Sequence, residues 1–194
     1  MKDSENSTDL RVKKTCTLLW NALEDLLIQP GKEFSSITVN EICERAMVHR
    51  TTFYKHFADK YDLLYLGFMQ LNAEFRKINL EEGIEKPFQT MEKNPKRKIV
   101  DSIVRNQKND EAFNNLLKNY VKKMLKEAFL ELDRRGKNFP VPIEIIAEFY
   151  SGVLSSLSTW WAQNGSNISA AQMDDYFHQM INEDFFAFSG DGPD

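Results

Sequence analysis

The sequence is poor in cysteine and glycine and has no excess of positive charge. Its two cysteines, Cys16 and Cys43, match no metal-ligand spacing, so we expect reduced thiols and no metal site. The eight glycines form no phosphate-cradling loop. The 194 residues carry a formal net charge of −4, which excludes an indiscriminate polyanion binder. Any contact with nucleic acid must therefore be local.

Long apolar runs and catalytic constellations are missing as well. No stretch approaches the roughly 18 apolar residues of a membrane-spanning helix, and the N-terminal MKDSENST lacks the apolar region of a secretory signal. We therefore expect a cytoplasmic protein that does not contact a membrane. No Ser/His/Asp order, oriented Cys–His pair or recognisable carboxylate pair is present. The sequence thus predicts neither an enzyme nor a bound cofactor.

Strand-type alternation is also missing, and apolar residues recur at helical spacing almost everywhere. The pattern predicts an all-α fold of about nine helices, with a small N-terminal domain and a larger helical bundle. The predicted divisions are a three-helix domain with a helix-turn-helix at 9–58, a ligand-binding and dimerisation domain at 59–188, and flexible tails at 1–8 and 189–194. Within the bundle, helices are predicted at 97–107, 110–135, 142–164 and 169–188, after an irregular stretch at 80–96.

Two short helices joined by a tight turn are predicted in the first domain. Thr38 and Glu41 form a T-x-x-E capping box, which marks the start of the first short helix. The second is predicted from Arg50 to Phe57, and a longer helix begins near Asp59. This arrangement is typical of a helix-turn-helix, whose second helix enters the major groove of DNA.

The predicted second helix separates apolar from polar side chains. At about 100° per residue, Phe53 and Phe57 share one face, which is predicted to be core. The outward positions carry hydroxyl, phenol and basic groups, which are Arg50, Thr51, Thr52, Tyr54 and Lys55. Such groups bind base edges and phosphates, although an amphipathic helix with a polar solvent face has the same pattern. The helix starts at Thr38–Val39 and Asp59–Lys60 are expected to offer further backbone N–H groups to phosphate.

The segment ITVNEICERAMVHRTTFYKHFADKYDLL resembles the DNA-binding signature of the TetR/AcrR regulators. The matching positions are Thr38, Ile42, Ala46, Val48, Thr52, Phe53, Tyr54, His56, Phe57, Lys60, Leu63 and Leu64. The resemblance implies a homodimer that places one recognition helix per subunit in successive major grooves of a palindromic operator. It implies that phosphates are contacted by Thr38, Tyr54, His56 and Lys60. It also implies that bases or nearby phosphates are contacted by Arg50, Thr51, Thr52 and Lys55.

Two residues at the turn depart from that signature. Met47 replaces the glycine that best tolerates positive φ, and His49 replaces the usual Ser/Thr cap. We expect a distorted or less stable turn, or a packing role for Met47, and a phosphate contact by His49 stays open. His56 has a structural alternative, which is to cap a helix C-terminus. A metal role is not predicted for either histidine, because no third ligand lies at helical spacing.

The predicted helix at 142–164 combines large apolar residues with a row of small ones. The large set is Ile146, Phe149, Tyr150, Val153, Leu154, Leu157, Trp160 and Trp161, and the small set is Gly152, Ser155, Ser156 and Thr159. The row favours close helix approach, either in a four-helix dimer contact shared with the last helix or in intramolecular packing. This region resembles the C-terminal domain of TetR-family members grouped with dihydroxyacetone-kinase regulators.

The sequence therefore predicts a homodimeric repressor released from its operator by a small-molecule effector, with the helix from Asp59 carrying the motion. The alternative is a helical protein-interaction or co-regulator module that has lost autonomous DNA binding. Several apolar or amphipathic residues are candidates either for an effector cavity or for core packing. These are Phe113, Leu117, Tyr120, Met124, Phe149, Tyr150 and Trp160.

Overall fold

The computed structural model describes residues 2–72, 80–164 and 167–181, with side chains from Leu10 onward. Those residues contain ten α-helices, one short 3-10 helix and no strand, which confirms the all-α prediction and adds one helix to it. The helices are α1 (Lys2–Leu27), α2 (Val39–Ala46), α3 (Arg50–Phe53), α4 (Lys60–Leu71), α5 (Leu80–Glu85), α6 (Pro87–Glu92), α7 (Arg97–Asn106), α8 (Glu111–Arg134), α9 (Ile143–Asn164) and α10 (Ala170–Ile181), with the 3-10 helix at Phe34–Ser36.

Helix α1 extends further towards the N-terminus than the predicted division allows. It stops at Leu27, ahead of Pro30 and Gly31. It begins at Lys2, so residues 2–8, which were predicted to form a tail, are helical. A polar segment with acidic residues near its beginning can start a helix. The polar composition of residues 2–8 therefore did not distinguish a helix from a tail. The predicted tail at 189–194 and the predicted helical residues 182–188 lie outside the described part of the chain.

One hydrophobic core joins the N-terminal domain to the bundle. Trp20 of α1, Phe53 of α3 and Leu64 of α4 are buried together with Ile103 of α7 and Phe113 of α8. Burial of this kind contributes roughly 1.5–3 kcal/mol for each large apolar side chain. The small domain is thus fixed against α7 and α8 by shared packing.

The stretch at 80–96 was predicted to be irregular, and that prediction is wrong for most of it. Pro87 occupies the first turn of α6, where its missing N–H costs nothing. Asp174 of α10 then accepts hydrogen bonds from the backbone N–H groups of Phe88 at 2.8 Å and Gln89 at 3.1 Å. A buried carboxylate supplied by a distant helix therefore caps α6, and no local pattern announces it.

Helices α8 and α9 pack along each other and form the centre of the bundle. The buried face of α9 carries Ala147, Ser151 and Leu154, which recur at four and three residues. A second core cluster adds Phe129 of α8 and Phe177 of α10. Within the described ranges, no helix has the combined length and apolarity needed to cross a membrane.

Candidate nucleic-acid interface

The start of α2 is the predicted capping box. Thr38 Oγ1 accepts a hydrogen bond from Glu41 N at 3.2 Å, and Glu41 Oε2 accepts one from Thr38 N at 2.8 Å. Lys32 pairs with the same carboxylate at 2.6 Å. The bond from Lys32 and then those from Thr38 lower the pKa of Glu41 to about 2. Thr38 is exposed, but its hydroxyl also donates to Glu41 at 3.0 Å, so its first role is to fix α2.

The turn after α2 forms without glycine. Met47 adopts the left-handed conformation with φ 52° and ψ 40°, and it is the only non-glycine residue with positive φ in the described ranges. The N–H of Val48 donates to Cys43 O at 3.0 Å, which closes the helix end as a left-handed residue allows. The Met47 side chain is 94% exposed, so the packing role considered from the sequence is wrong.

The recognition helix is shorter than predicted. Regular α3 ends at Phe53, and the chain continues in helical turns in which His56 N and Phe57 N both donate to Phe53 O, at 2.9 and 3.0 Å. Phe53 is fully buried and Phe57 is 8% exposed, which confirms both as the inward face. His49 precedes the helix and makes no side-chain capping bond, in line with its weakness as a cap.

The outward residues of this segment lie on one exposed surface. Arg50, Thr51, Tyr54 and Lys55 are exposed, whereas Thr52 and His56 are half-buried. Arg50 Nη2 donates to Tyr54 Oη at 3.5 Å, and the guanidinium carbon lies 5.9 Å from the centroid of the same ring. The tyrosine therefore helps to orient the arginine while leaving its other donors free for an anion or a base edge.

Lys60 does not belong to that surface. Its ammonium donates to the carbonyls of Phe34 at 2.8 Å, Ser35 at 2.9 Å and Ile37 at 2.7 Å. Since an ammonium has three protons, all of its donors are used within the chain. Burial lowers the pKa of Lys60, although nearby carboxylates oppose that shift. The predicted phosphate contact is therefore replaced by a structural role, which is to hold the segment between α1 and α2.

The start of α4 is also occupied by the chain itself. Asp59 Oδ1 accepts hydrogen bonds from Tyr61 N at 2.8 Å and Asp62 N at 3.0 Å. Asp62 Oδ2 accepts a further bond from Ala58 N at 3.0 Å. Two carboxylates at this helix start disfavour a phosphate, so the expectation of free N–H donors there is wrong.

A polar clasp, formed by Gln107 and Asp110 at the corner between α7 and α8, fixes the same connecting segment. The buried Gln107 accepts a hydrogen bond from Phe34 N at 2.7 Å and donates to Leu27 O at 3.1 Å and Lys32 O at 2.8 Å. Asp110 accepts from Ser35 N at 2.5 Å. Burial alone would raise the pKa of Asp110, but backbone N–H donors outweigh it and lower the pKa. Sequence reasoning missed this clasp, because its partners lie far apart along the chain.

The cysteines and histidines support no metal site. In the part of the chain that the structure describes, no group of three His, Cys, Asp or Glu side chains is placed to hold an ion. Cys16 and Cys43 are free thiols, and burial raises the pKa of both.

Two family models match this sequence. Residues 26–65 match the model for bacterial regulatory proteins of the tetR family. Residues 79–183, more than half of the chain, match the model for the C-terminal region of a transcriptional regulator in the same group. The chain belongs to the TetR family. It is therefore a DNA-binding transcriptional regulator, as the helix-turn-helix signature predicted.

Solved TetR-family structures share the fold over almost the whole chain. A TetR regulator from Streptococcus agalactiae 2603V is 20% identical, with a TM-score of 0.60, and the alignment covers 92% of this chain and 99% of that one. A TetR-family regulator from Syntrophomonas wolfei str. Goettingen is 18% identical, with coverages of 87% and 95% and a TM-score of 0.59. The dihydroxyacetone kinase operon activator DhaS is 14% identical, with a TM-score of 0.50, and the alignment covers 87% of this chain and 92% of that one. DhaS confirms the predicted likeness to that group at the level of fold.

A curated relative matches about a third of this chain. The uncharacterized HTH-type transcriptional regulator YxbF of Bacillus subtilis (strain 168) is 33% identical over 63 residues. That match covers 32% of this TetR-family chain and 16% of the relative, so it concerns a small part of that protein.

The bundle of this TetR-family chain contains a cavity of about 130 Å³ between α7, α8 and α9. Of the candidate lining residues, Leu117, Tyr120 and Met124 contribute to it. Phe113 is instead a core residue, Tyr150 packs against the second core cluster, and the remaining two are exposed, namely Phe149 and Trp160. The sequence pattern therefore located the α8 side of the cavity but not its α7 and α9 sides.

Proposed function

We propose that the protein is a homodimeric repressor that binds a palindromic operator through α2 and α3 and leaves it when a small molecule binds the bundle. One observation carries the proposal. The segment from Arg50 to Lys55 is anchored by a fully buried Phe53 and presents an arginine oriented by Tyr54 on an exposed surface. Such an arrangement suits a short basic contact on a protein of net charge −4.

We assign the roles at the interface by exposure and chemistry. Arg50, with Thr51 beside it, contacts base edges, because an arginine reads guanine through two donors. Lys55 and the half-buried Thr52 contact bases or nearby phosphates. The phosphate contacts come from Tyr54 and His56. Thr38 and Lys60 are left out, because their donors are bonded within the chain.

The proposed dimer forms through an apolar face of α9. Ile145, Phe149 and Trp160 are exposed by 59%, 52% and 48%. At about 100° per residue they share one side of the helix with Gly152 and Ser156, whose small side chains permit close approach. On α10, Tyr176 and Met180 are exposed as well. The predicted row of small residues is thus divided, because Ser155 and Thr159 line the cavity instead.

The effector acts through α7 and α8 in this proposal. Both helices line the cavity, and α7 ends and α8 begins at the corner where the clasp of Gln107 and Asp110 holds the segment before α2. A ligand that favours a different spacing of α7 and α8 therefore shifts the position of the helix-turn-helix. Half-sites about 34–36 Å apart then no longer fit both subunits. Helix α4, which was predicted to carry the motion, ends at Leu71. In this proposal it transmits the motion only through its packing on α1.

A protein-interaction module is the competing function. The observation that favours it is the internal use of Lys60 and of the α4 start, which removes two expected phosphate contacts. We infer no catalytic role, because the family and the fold are those of transcriptional regulators.

Selection of bound duplexes from a random pool separates these functions. A repressor enriches a palindrome whose half-sites match the dimer, and the operator complex contains two chains. An interaction module enriches no sequence. The pool should contain physiological salt, because low salt favours non-specific binding.

A further inference from the structure

The cavity in the bundle has largely apolar walls. Val100 and Val104 of α7, Leu117 and Val121 of α8, and Leu154 of α9 supply them. Its volume is about 130 Å³, close to that of an engineered apolar cavity of about 150 Å³ that admits benzene. A ligand body of about one ring, or a short chain of similar volume, therefore fits the cavity.

One side of this cavity carries a guanidinium whose donors are mostly unused. Arg97 Nε donates to Asp101 Oδ2 at 2.8 Å, and the guanidinium carbon lies 4.6 Å from the Trp161 ring centroid. Among the described residues, the terminal nitrogens Nη1 and Nη2 have no hydrogen-bond partner. The Arg97 side chain is 18% exposed, and its terminal nitrogens are not among the fully buried polar atoms, so they keep some contact with solvent. A ligand in the cavity therefore meets strong donors that require acceptor oxygens.

Ser155 of α9 adds a second unused polar group to the same cavity. Its Oγ is buried and has no hydrogen-bond partner in the described residues. A cationic ligand is disfavoured, because Arg97 already neutralises Asp101 and covers the Trp161 ring. A dianion is disfavoured as well, because a single guanidinium opposed by a carboxylate cannot balance two negative charges.

We propose that the cavity binds a small monocarboxylate, with its apolar body between α7, α8 and α9 and its carboxylate on the terminal nitrogens of Arg97. Ser155 offers the ligand a further hydrogen bond. This inference rests on the proposed function, in which the bundle receives the effector, and it adds the chemical class of that effector.

The test compares matched probes on the full-length protein. Hexanoate and benzoate are titrated against hexanol, benzyl alcohol and hexylamine by calorimetry, and thermal unfolding is recorded with each probe. The two carboxylates should bind about tenfold tighter than the alcohols, because a charged hydrogen bond is stronger than a neutral one. Hexylamine should bind more weakly than hexanoate.

Two variants at the site should act in opposite directions. Arg97→Met should remove the preference for carboxylates, whereas Asp101→Asn should increase hexanoate affinity several-fold, because it frees the guanidinium from its internal partner. Arg105→Met changes an exposed arginine of the same helix and should leave every affinity unchanged. If Arg97→Met does not fold, as judged by circular dichroism, Asp101→Asn carries the test.

Equal binding of hexanoate and hexanol would overturn the inference, and so would a carboxylate preference that survives in Arg97→Met. A fall in hexanoate affinity in Asp101→Asn contradicts it as well. Absence of binding, in a protein that still selects an operator, rejects the carboxylate site and leaves the DNA-binding function intact. Carboxylate binding that does not release the operator supports the site and contradicts the effector part of the proposed function.

Discussion

Met47 holds the turn of the helix-turn-helix in a left-handed conformation, with φ 52°. A residue with a Cβ pays roughly 1–2 kcal/mol for that conformation. With 94% of the side chain exposed, packing within the chain does not offset the strain. The turn is therefore less stable than its glycine counterpart.

Met47→Gly should raise the free energy of unfolding by about 0.5–1 kcal/mol, since relief of the strain exceeds the entropy that glycine adds to the unfolded chain. Urea denaturation measures the difference. Met47→Ala keeps the Cβ and should change stability by less than about 0.5 kcal/mol. A loss of stability in Met47→Gly would show that the methionine makes an unrecognised stabilising contact.

Glu41 gives the fold a dependence on acid. Its pKa is lowered to about 2 by Lys32 and then by Thr38, from an ordinary value of 4.5. A depressed carboxylate stabilises the fold fully above its ordinary pKa, and that contribution is lost as the pH falls from about 4.5 towards 2. Glu41→Gln should flatten the stability profile in that window, and Lys32→Met should flatten it in part. An unchanged profile in Glu41→Gln contradicts this account.

At the scale of elements, the contact between α1 and α4 depends on the absence of a side chain. Trp20 of α1 lies so close to Gly67 of α4 that a Cβ at that glycine would approach its ring carbons to 1.9–2.3 Å. The tryptophan is almost fully buried, so its ring has little room to move. Because α1 and α4 flank the helix-turn-helix, this contact also fixes its orientation.

Gly67→Ala should lower the free energy of unfolding by about 1–3 kcal/mol or more, because the methyl group overpacks the core. Gly83→Ala is the matched control, since a Cβ at that helical glycine meets nothing within 4 Å. It should leave stability unchanged or raise it by up to about 1 kcal/mol. Equal stability of the two variants would mean that α4 shifts away from α1 at little cost.

Local patterns predicted the elements of the interface whose partners are near in sequence. The capping box of Thr38 and Glu41 and the inward face of Phe53 and Phe57 were visible for that reason. The roles of Lys60 and Gln107 were not visible. Lys60 bonds residues more than twenty positions earlier, and Gln107 bonds residues more than seventy positions earlier. Only the folded chain places those groups together.

At the scale of the whole molecule, the exposed apolar face of α9 is the proposed dimer interface. Phe149→Glu should convert the proposed dimer to a monomer in analytical ultracentrifugation, because it places a charge in an apolar interface. Operator affinity should then fall at least tenfold, since each half-site is bound separately. Val12→Glu, at an exposed apolar position of α1, should leave the dimer intact. A dimer that persists in Phe149→Glu contradicts this assignment.

The central claim is that Arg50 reads the operator, and a gel-shift titration of Arg50→Ala against the selected duplex tests it most directly. Arg105→Ala, an exposed arginine outside the interface, serves as the control. We predict that Arg50→Ala weakens binding by about 1–3 kcal/mol and relaxes the preference at one base pair, while Arg105→Ala binds as the native protein does. Native affinity and native sequence preference in Arg50→Ala would contradict the account.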